Sequence, residues 1–198
     1  LDTISTLRRT VTRWDVSRAT GTDLAPCATI PIGHWFTLAV HSKAGLVAHG
    51  SLARENGGIS VHDCRNGNLL AVKTDGCQQV KCLRFSPDGT LLASASYDGT
   101  IRLRRRRTLE ELAQLPKAVL AVNGDGFSRA LFSTAFSPDG SMLAGADFPV
   151  RRRRGSSKIA ICRLPKLEPI VLLDAAIENP GHFAFSTCGR LFVNDKVE

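Results

Sequence analysis

The sequence predicts an all-β protein built from repeated four-stranded antiparallel units, and three observations carry that prediction. The first is the stretch Val80 to Leu103, V-K-C-L-R-F-S-P-D-G-T-L-L-A-S-A-S-Y-D-G-T-I-R-L. A run with Val80, Cys82, Leu83 and Phe85 stops at Ser86-Pro87-Asp88-Gly89, where proline presets one corner of a turn and glycine takes the positive φ that ends it. Leu91 to Ser96 is a second run, stopped by Asp98-Gly99, a strong hairpin signal. A third begins at Thr100-Ile101. Three strands joined by two tight turns form a meander. The second observation is recurrence of the first turn: its glycine, Gly89, has counterparts at Gly45, Gly140 and Gly189, in steps of 44, 51 and 49 residues. The third is that each step leaves room for a fourth strand, as in Asn68 to Lys73 after Arg65-Asn66-Gly67.

Val80 to Leu103 resembles one blade of the WD-repeat β-propellers. Phe85-Ser86-Pro87-Asp88-Gly89 stands as the end of strand a, Leu92 to Ser96 as strand b, Asp98-Gly99-Thr100 as the b–c turn and Ile101 to Leu103 as strand c. Arg104 and Arg105 stand where the family carries tryptophan and aspartate. The resemblance implies a β-propeller of four-stranded antiparallel blades, with about three complete blades and two half blades. Family repeats run at roughly 40–45 residues, so the two longer steps imply inserted loops.

In order, residues 1–33 form a half blade, strands c and d, with Trp14-Asp15 as the name-giving dipeptide. Trp14 would fill the gap between neighbouring sheets. Residues 34–75 form a blade: Trp35 to Val40, Leu46 to Ala53, Ile59 to Cys64 and Asn68 to Lys73, with Asn56-Gly57-Gly58 as its b–c turn and His62-Asp63 at the dipeptide position. His62 reads as a packed strand histidine, since no second histidine has ligand spacing. Residues 79–115 form the central blade, with strand d near Glu111 to Leu115, although Leu109 to Leu112 also reads as the start of a helical turn. Residues 131–175 form a blade whose turn is Phe136-Ser137-Pro138-Asp139-Gly140, with an enlarged loop before strand c. Residues 180–198 form a half blade, strands a and b. In the family, a hydrogen-bonded network joins the b–c turn aspartate to a serine on strand b and the tryptophan on strand c. Asp98 and Ser96 fit it, and Arg104 breaks it. A buried unpaired arginine is costly, so Arg104 is expected to be partly exposed or paired with a carboxylate.

The chain has 198 residues and a net charge of +8, with 43% hydrophobic content, which suits a soluble fold with a real core. No apolar run approaches a membrane span of about 20 residues. The single methionine is Met142 and the chain begins at Leu1, which reads as a piece of a longer or processed chain. None of the six cysteines has C-x-x-C spacing, so zinc is not expected and a reducing compartment is. The expected location is cytoplasmic, with the nucleus as alternative.

No G-x-S-x-G, H-E-x-x-H or phosphate-loop pattern occurs. No catalytic residue, cofactor or metal is therefore expected. The sharpest chemical features are two arginine runs, Arg104 to Arg107 and Arg151 to Arg154. The first ends strand c and the second lies in a b–c loop, so they emerge on opposite faces and make no continuous nucleic-acid track. Arg105, Arg106, Arg107 and Arg151, Arg152, Arg153, Arg154 are candidate anion- or partner-binding residues, because guanidinium forks match phosphate and carboxylate. Arg151 to Gly155 also resembles the R-R-G motif of phosphoinositide-binding propellers, displaced into a blade.

The leading expectation is a non-catalytic protein–protein interaction scaffold. The alternatives are an anionic-ligand binder, for phosphoinositide or nucleic acid, and a regulatory domain of a larger enzyme. Expected partners are other proteins, acidic surfaces, and either a second copy or missing blades. The half blades at the two ends either pair as a clasp in a four-bladed ring or lie far apart in an open arc, and the arc is the expectation.

Overall fold

The structure, a computed structural model, describes residues 2–5, 10–14, 26–31, 35–51, 57–77, 79–115, 129–149, 157–175 and 180–195. Among them are only strands, turns and short irregular segments. Strands β1 (Asp2–Ser5), β2 (Thr10–Trp14) and β3 (Pro26–Pro31) form a three-stranded antiparallel sheet. The first four-stranded blade is β4 (Trp35–His41), β5 (Leu46–Ser51), β6 (Gly57–Asp63) and β7 (Leu69–Cys77). The central blade is β8 (Val80–Phe85), β9 (Leu91–Ser96), β10 (Ile101–Arg105) and β11 (Glu111–Leu115). The third blade is β12 (Arg129–Phe136), β13 (Met142–Pro149), β14 (Ser157–Arg163) and β15 (Glu168–Ala175). A two-stranded sheet, β16 (Pro180–Phe185) and β17 (Leu191–Asp195), follows.

Strands β4, β8, β12 and β16 lie side by side as the innermost strands of successive sheets. The sheets pack face to face around them, as propeller blades do. Strand β9 shows why the sequence permits this. Leu92, Ala93, Ser94, Ala95 and Ser96 are all buried, because both faces of the sheet are covered and a simple in–out alternation is not needed. Leu92, with Val80, Leu83 and Leu109, packs on Ala39, Leu46, Ala48, Ile59 and Val61 of the first blade. Ala93 and Ala95, with Ile101, Leu103 and Leu115, pack on Leu143, Ala160 and Cys162 of the third. Each fully buried leucine contributes about 1.5–3 kcal/mol of transfer free energy. Ile30 of β3 packs on Val47 and Cys64, and Phe183 on Ala146 and Ile159, extending the stack in both directions.

The a–b turn of the central blade shows how local chemistry fixes the strand ends. Gly89 N donates to Ser86 O at 2.8 Å, and the Asp88 carboxylate accepts from Thr90 N at 3.0 Å and Thr90 Oγ1 at 2.7 Å. Gly89 has φ +68, and a Cβ there would lie 2.8 Å from His41 Cε1 of the neighbouring turn. Both the backbone and the inter-blade contact therefore demand glycine.

Three readings change. The described residues of 1–33 hold three strands rather than two, because the short polar run Asp2–Ser5 pairs with β2. Gly57 and Gly58 belong to β6 instead of the turn before it, and Asn56 lies outside the described residues. Leu109 starts no helix: it is fully buried at φ 54, and its N–H donates to Arg105 O at 2.9 Å inside the c–d turn. The terminal sheets β1–β3 and β16–β17 are separate, and among the described residues no ladder joins them.

Candidate functional site

The innermost strands border an open cavity of about 650 Å³ at the end where the a–b turns gather. Its wall includes Val40, Lys43, Arg84, Phe85, Phe136 and Phe185. The three phenylalanines occupy the same place in three successive turns, so the repeat sets one half-buried phenylalanine per blade on this wall, each packed against its own inter-blade cluster. Lys43 is exposed at the rim, and Arg84 donates from Nη1 to Leu83 O at 2.9 Å. His41 ties the rim together. Its Nδ1 accepts from Ala44 N at 3.1 Å, which leaves Nε2 to donate to Pro87 O at 3.1 Å in the next turn. Its ring meets Phe85 edge to face at 6.0 Å.

The first arginine run does not line this cavity but meets the a–b turn of its own blade. Arg106 N donates to Thr90 O at 3.1 Å, which sets the c–d turn beside the a–b turn on one face. Arg105 is exposed and pairs through Nε with Glu110 at 3.2 Å. Arg106 is half-buried and Arg107 exposed. Arg151 to Arg154 lie outside the described residues, as does Asp15. Trp14 stands opposite Pro26 in the register of β2 and β3.

Asp88 and Asp139 serve the turns. Hydrogen bonds from Ser137 and then from the backbone and hydroxyl of Ser141 hold the Asp139 carboxyl at about 2. Ser86 and Thr90 depress Asp88 in the same way. Cys188 takes the aspartate's place in the turn before β17. Its thiol lies 3.0 Å from Ser186 Oγ, and that contact lowers its pKa. Asp63 accepts from Arg65 N at 2.7 Å. Asp98 accepts from Thr100 N at 2.9 Å, Thr100 Oγ1 at 2.6 Å and Arg102 Nη1 at 2.9 Å. Gly99 and Gly140, at φ +83 and +72, close their turns.

One position in each blade combines a strand-b and a strand-c side chain facing the preceding sheet. Register makes the three positions equivalent: Val47 pairs with His62, Leu92 with Arg104 and Leu143 with Cys162. Two residues along strand b stand His49, Ser94 and Gly145. In the central blade Arg104 is fully buried. It donates from Nη1 to Ser94 Oγ at 2.6 Å, and Nη2 lies 3.6 Å from Glu111 Oε2. The expected carboxylate is thus present, and partial exposure is not. Ser96, assigned to the network from sequence, lies elsewhere in it: its hydroxyl is 3.4 Å from both Gln79 O and Asp98 N. Ser94 is the serine that meets residue 104.

In the first blade the position holds two imidazoles. His62 Nδ1 faces Gly67 O at 3.2 Å and must donate to it, so His62 Nε2 accepts from His49 Nε2 at 3.2 Å. Burial, and then the neighbouring His62, push His49 down to about 4. Among the described residues no three potential ligands cluster for a metal. In the third blade Gly145 and buried Cys162 leave an apolar position, and burial raises the Cys162 thiol to about 11.

The fold and these positions define a β-propeller with WD-type turns. Residues 67–104 match the family model described as WD domain, G-beta repeat. The match starts near the outer strand of the first blade and ends on strand c of the next, so one sequence repeat spans two sheets. The human WD repeat and SOCS box-containing protein 1 is 38% identical over 89 residues, covering 44% of this chain and 19% of that protein. The Dictyostelium discoideum serine-threonine kinase receptor-associated protein is 49% identical over 45 residues, covering 23% of this chain and 15% of its own length. The human echinoderm microtubule-associated protein-like 1 is 39% identical over 61 residues, covering 31% and 7%. The chain thus spans about a fifth or less of these relatives. Among solved structures, the computationally designed Ika8 protein superposes with a TM-score of 0.66 at 19% identity, covering 94% of this chain and 52% of that one. The designed Ika4 protein gives 0.60 at 19% identity, covering 89% and 99%. Residues 67–104 thus carry a WD repeat, and the chain is similar to WD-repeat proteins over less than half of its length.

Proposed function

We propose that the chain is a non-catalytic protein-interaction scaffold that receives an acidic partner surface at the mouth formed by its a–b turns. The observation that carries this is the presence of three repeat phenylalanines and two cationic side chains on the wall of one open cavity. Phe85, Phe136 and Phe185 give apolar area at the centre, and Lys43 and Arg84 give charge beside it. Apolar centres with charged surroundings are the usual anatomy of a protein-binding surface. The turns are rigid, since their aspartates are tied into them, so little ordering entropy is lost on binding. Arg106 and Arg107 extend the cationic area, whereas Arg105 is engaged by Glu110.

The test is a charge reversal that spares the core. Lys43→Glu with Arg107→Glu alters two exposed side chains. Partners recovered with the tagged chain should be lost from the double variant, and their recovery with the unaltered chain should fall as salt rises. An identical partner set for both chains, with unchanged melting, overturns this reading. Binding of phosphoinositide vesicles or nucleic acid by the purified chain, abolished by the same variant, replaces the protein partner with an anionic ligand.

A further inference from the structure

We propose that the outer edge of the third blade, strand β15, docks an extended segment of another protein whose apolar centre is flanked by basic residues. The proposal is independent of the mouth described above. Strand β15 ends the order β12-β13-β14-β15, so among the described residues its outer backbone groups have no ladder partner. Ile170, Val171, Leu172 and Leu173 are 42%, 38%, 50% and 45% exposed. Four consecutive residues point alternately to both faces of the strand, so the edge is apolar on each side. Native proteins usually blunt such edges with charge. The central blade does so: on its outer strand β11, Glu111 and Gln114 are exposed and Leu115 is buried.

The chemistry of the occupant can be read from the strand that β15 already accepts. On its inner side, Lys158 of β14 stands opposite Asp174 and Arg163 opposite Glu168. Between them β14 carries Ile159, Ala160, Ile161 and Cys162. Strand β15 is therefore an acid–apolar–acid strand paired with a basic–apolar–basic one. Glu168, 57% exposed and 3.8 Å from Lys166 Nζ, and the register position of Asp174 would face a strand arriving on the other side. Main-chain hydrogen bonds would give affinity, and the flanking charges would set register and specificity. Pro169, which has no N–H, suits an edge strand. A second copy of β15 fits poorly, because antiparallel self-pairing about Val171 sets Glu168 of one copy opposite Asp174 of the other. Strand β7 shares the apolar exposure, with Leu69, Leu70 and Val72 at 56%, 50% and 58%, but it leads into Lys73 and lacks the acidic pair.

The test uses the whole 198-residue chain and a labelled peptide with the β14 pattern, Lys-Ile-Ala-Ile-Ser-Arg, read by fluorescence anisotropy. A control peptide carries Glu and Asp in place of Lys and Arg. The basic-flanked peptide should bind, and the control should bind about tenfold more weakly, as two reversed cross-strand pairs allow. Leu172→Lys should weaken binding by about tenfold or more through the charge placed on the edge, with melting unchanged because Leu172 is half exposed. Leu70→Lys on β7 should leave binding unchanged. Absence of binding, equal binding of the two peptides, indifference to Leu172→Lys, or loss of binding on Leu70→Lys each overturns the proposal. So does a dimer in light scattering that Leu172→Lys converts to monomer, which would make a second copy the occupant.

Discussion

The central and third blades fill the same inter-blade position in opposite ways. The central blade places a fully buried arginine there, hydrogen-bonded through Nη1 to Ser94 and ion-paired through Nη2 with Glu111, while its Nε has no hydrogen-bond partner among the described residues. The third places Gly145 and Cys162 there, against Ile101 and its neighbours. The backbone register is the same, so the difference lies in the side chains that fill the space between the sheets. Where the side chain is large and charged, polar partners have to come with it. Where glycine stands, Ile101 of the neighbouring blade occupies the space a Cβ would take. The propeller therefore tolerates wide chemical variation at this position, provided each pair of blades is matched as a unit.

The largest expected effect comes from breaking the tight interface. A Cβ at Gly145 would lie 2.3 Å from Ile101 Cδ1, so this methyl, at the end of a side chain that is 1% exposed, has to turn or shift within the packed interface. Gly145→Ala ordinarily stabilises a strand slightly by restricting the unfolded chain. Here overpacking reverses the sign, and a loss of about 2–3 kcal/mol is expected in urea unfolding. Ile101→Val removes the offending methyl, so the double variant should recover most of that loss. A stabilising Gly145→Ala would show that the blades separate freely.

The first blade extends the comparison with a third solution, the neutral pair His49–His62. Its effect depends on pH, and the sign follows from the direction of the shift. His49 titrates near 6.5 when unfolded and at about 4 in the fold. The unfolded chain binds the proton more tightly, so the contribution is fully present above pH 6.5 and is lost as pH falls toward 4. The loss is on the order of 2 kcal/mol after allowance for partial exposure. Melting at pH 7.5, 5.5 and 4.5 should fall more steeply for the unaltered chain than for His49→Gln. Parallel curves would mean that the imidazole is hydrated in the fold.

The blades were legible in the sequence because their signals are local. Phe85 to Gly89 and Phe136 to Gly140 announce their own turns, and Asp98-Gly99 announces its hairpin, without help from the rest of the chain. What was not legible depends on register or distant packing. Ser94 and Ser96 are two residues apart on one strand face, and the register of β9 with β10, which sets Ser94 opposite Arg102 and Leu92 opposite Arg104, puts Ser94 rather than Ser96 in reach of the arginine. Residue types alone do not display that register. Nor do they display the mouth: Phe85 and Phe136 read as turn markers, and only the stacking of successive blades brings them, with Phe185, to one cavity wall. Strand β1 was missed because D-T-I-S has too little apolar pattern to mark a strand, and its pairing with β2 is what makes it one.

The smallest expected effect sharpens the comparison at the central blade. Arg104→Trp replaces a buried guanidinium with the side chain that WD-type blades carry at this position. Removing a buried charge in favour of apolar volume is neutral or stabilising, because desolvation of the ion offsets most of its attraction to Glu111. Glu111 is 40% exposed, and solvent weakens the pair further. Ser94 can accept from the indole N–H in place of the guanidinium, so the polar position does not go unsatisfied. A gain of about 1 kcal/mol is expected, which raises Tm by about 2–4 °C for a chain of this size. The cycle with Glu111→Gln separates causes. That substitution should destabilise the unaltered chain by more than it does the Arg104→Trp chain, because only in the former does a buried cation lose its carboxylate. If Arg104→Trp lowers Tm while the cycle shows no coupling, the position is limited by volume rather than charge, and the sheets at this interface are spaced too closely for an indole.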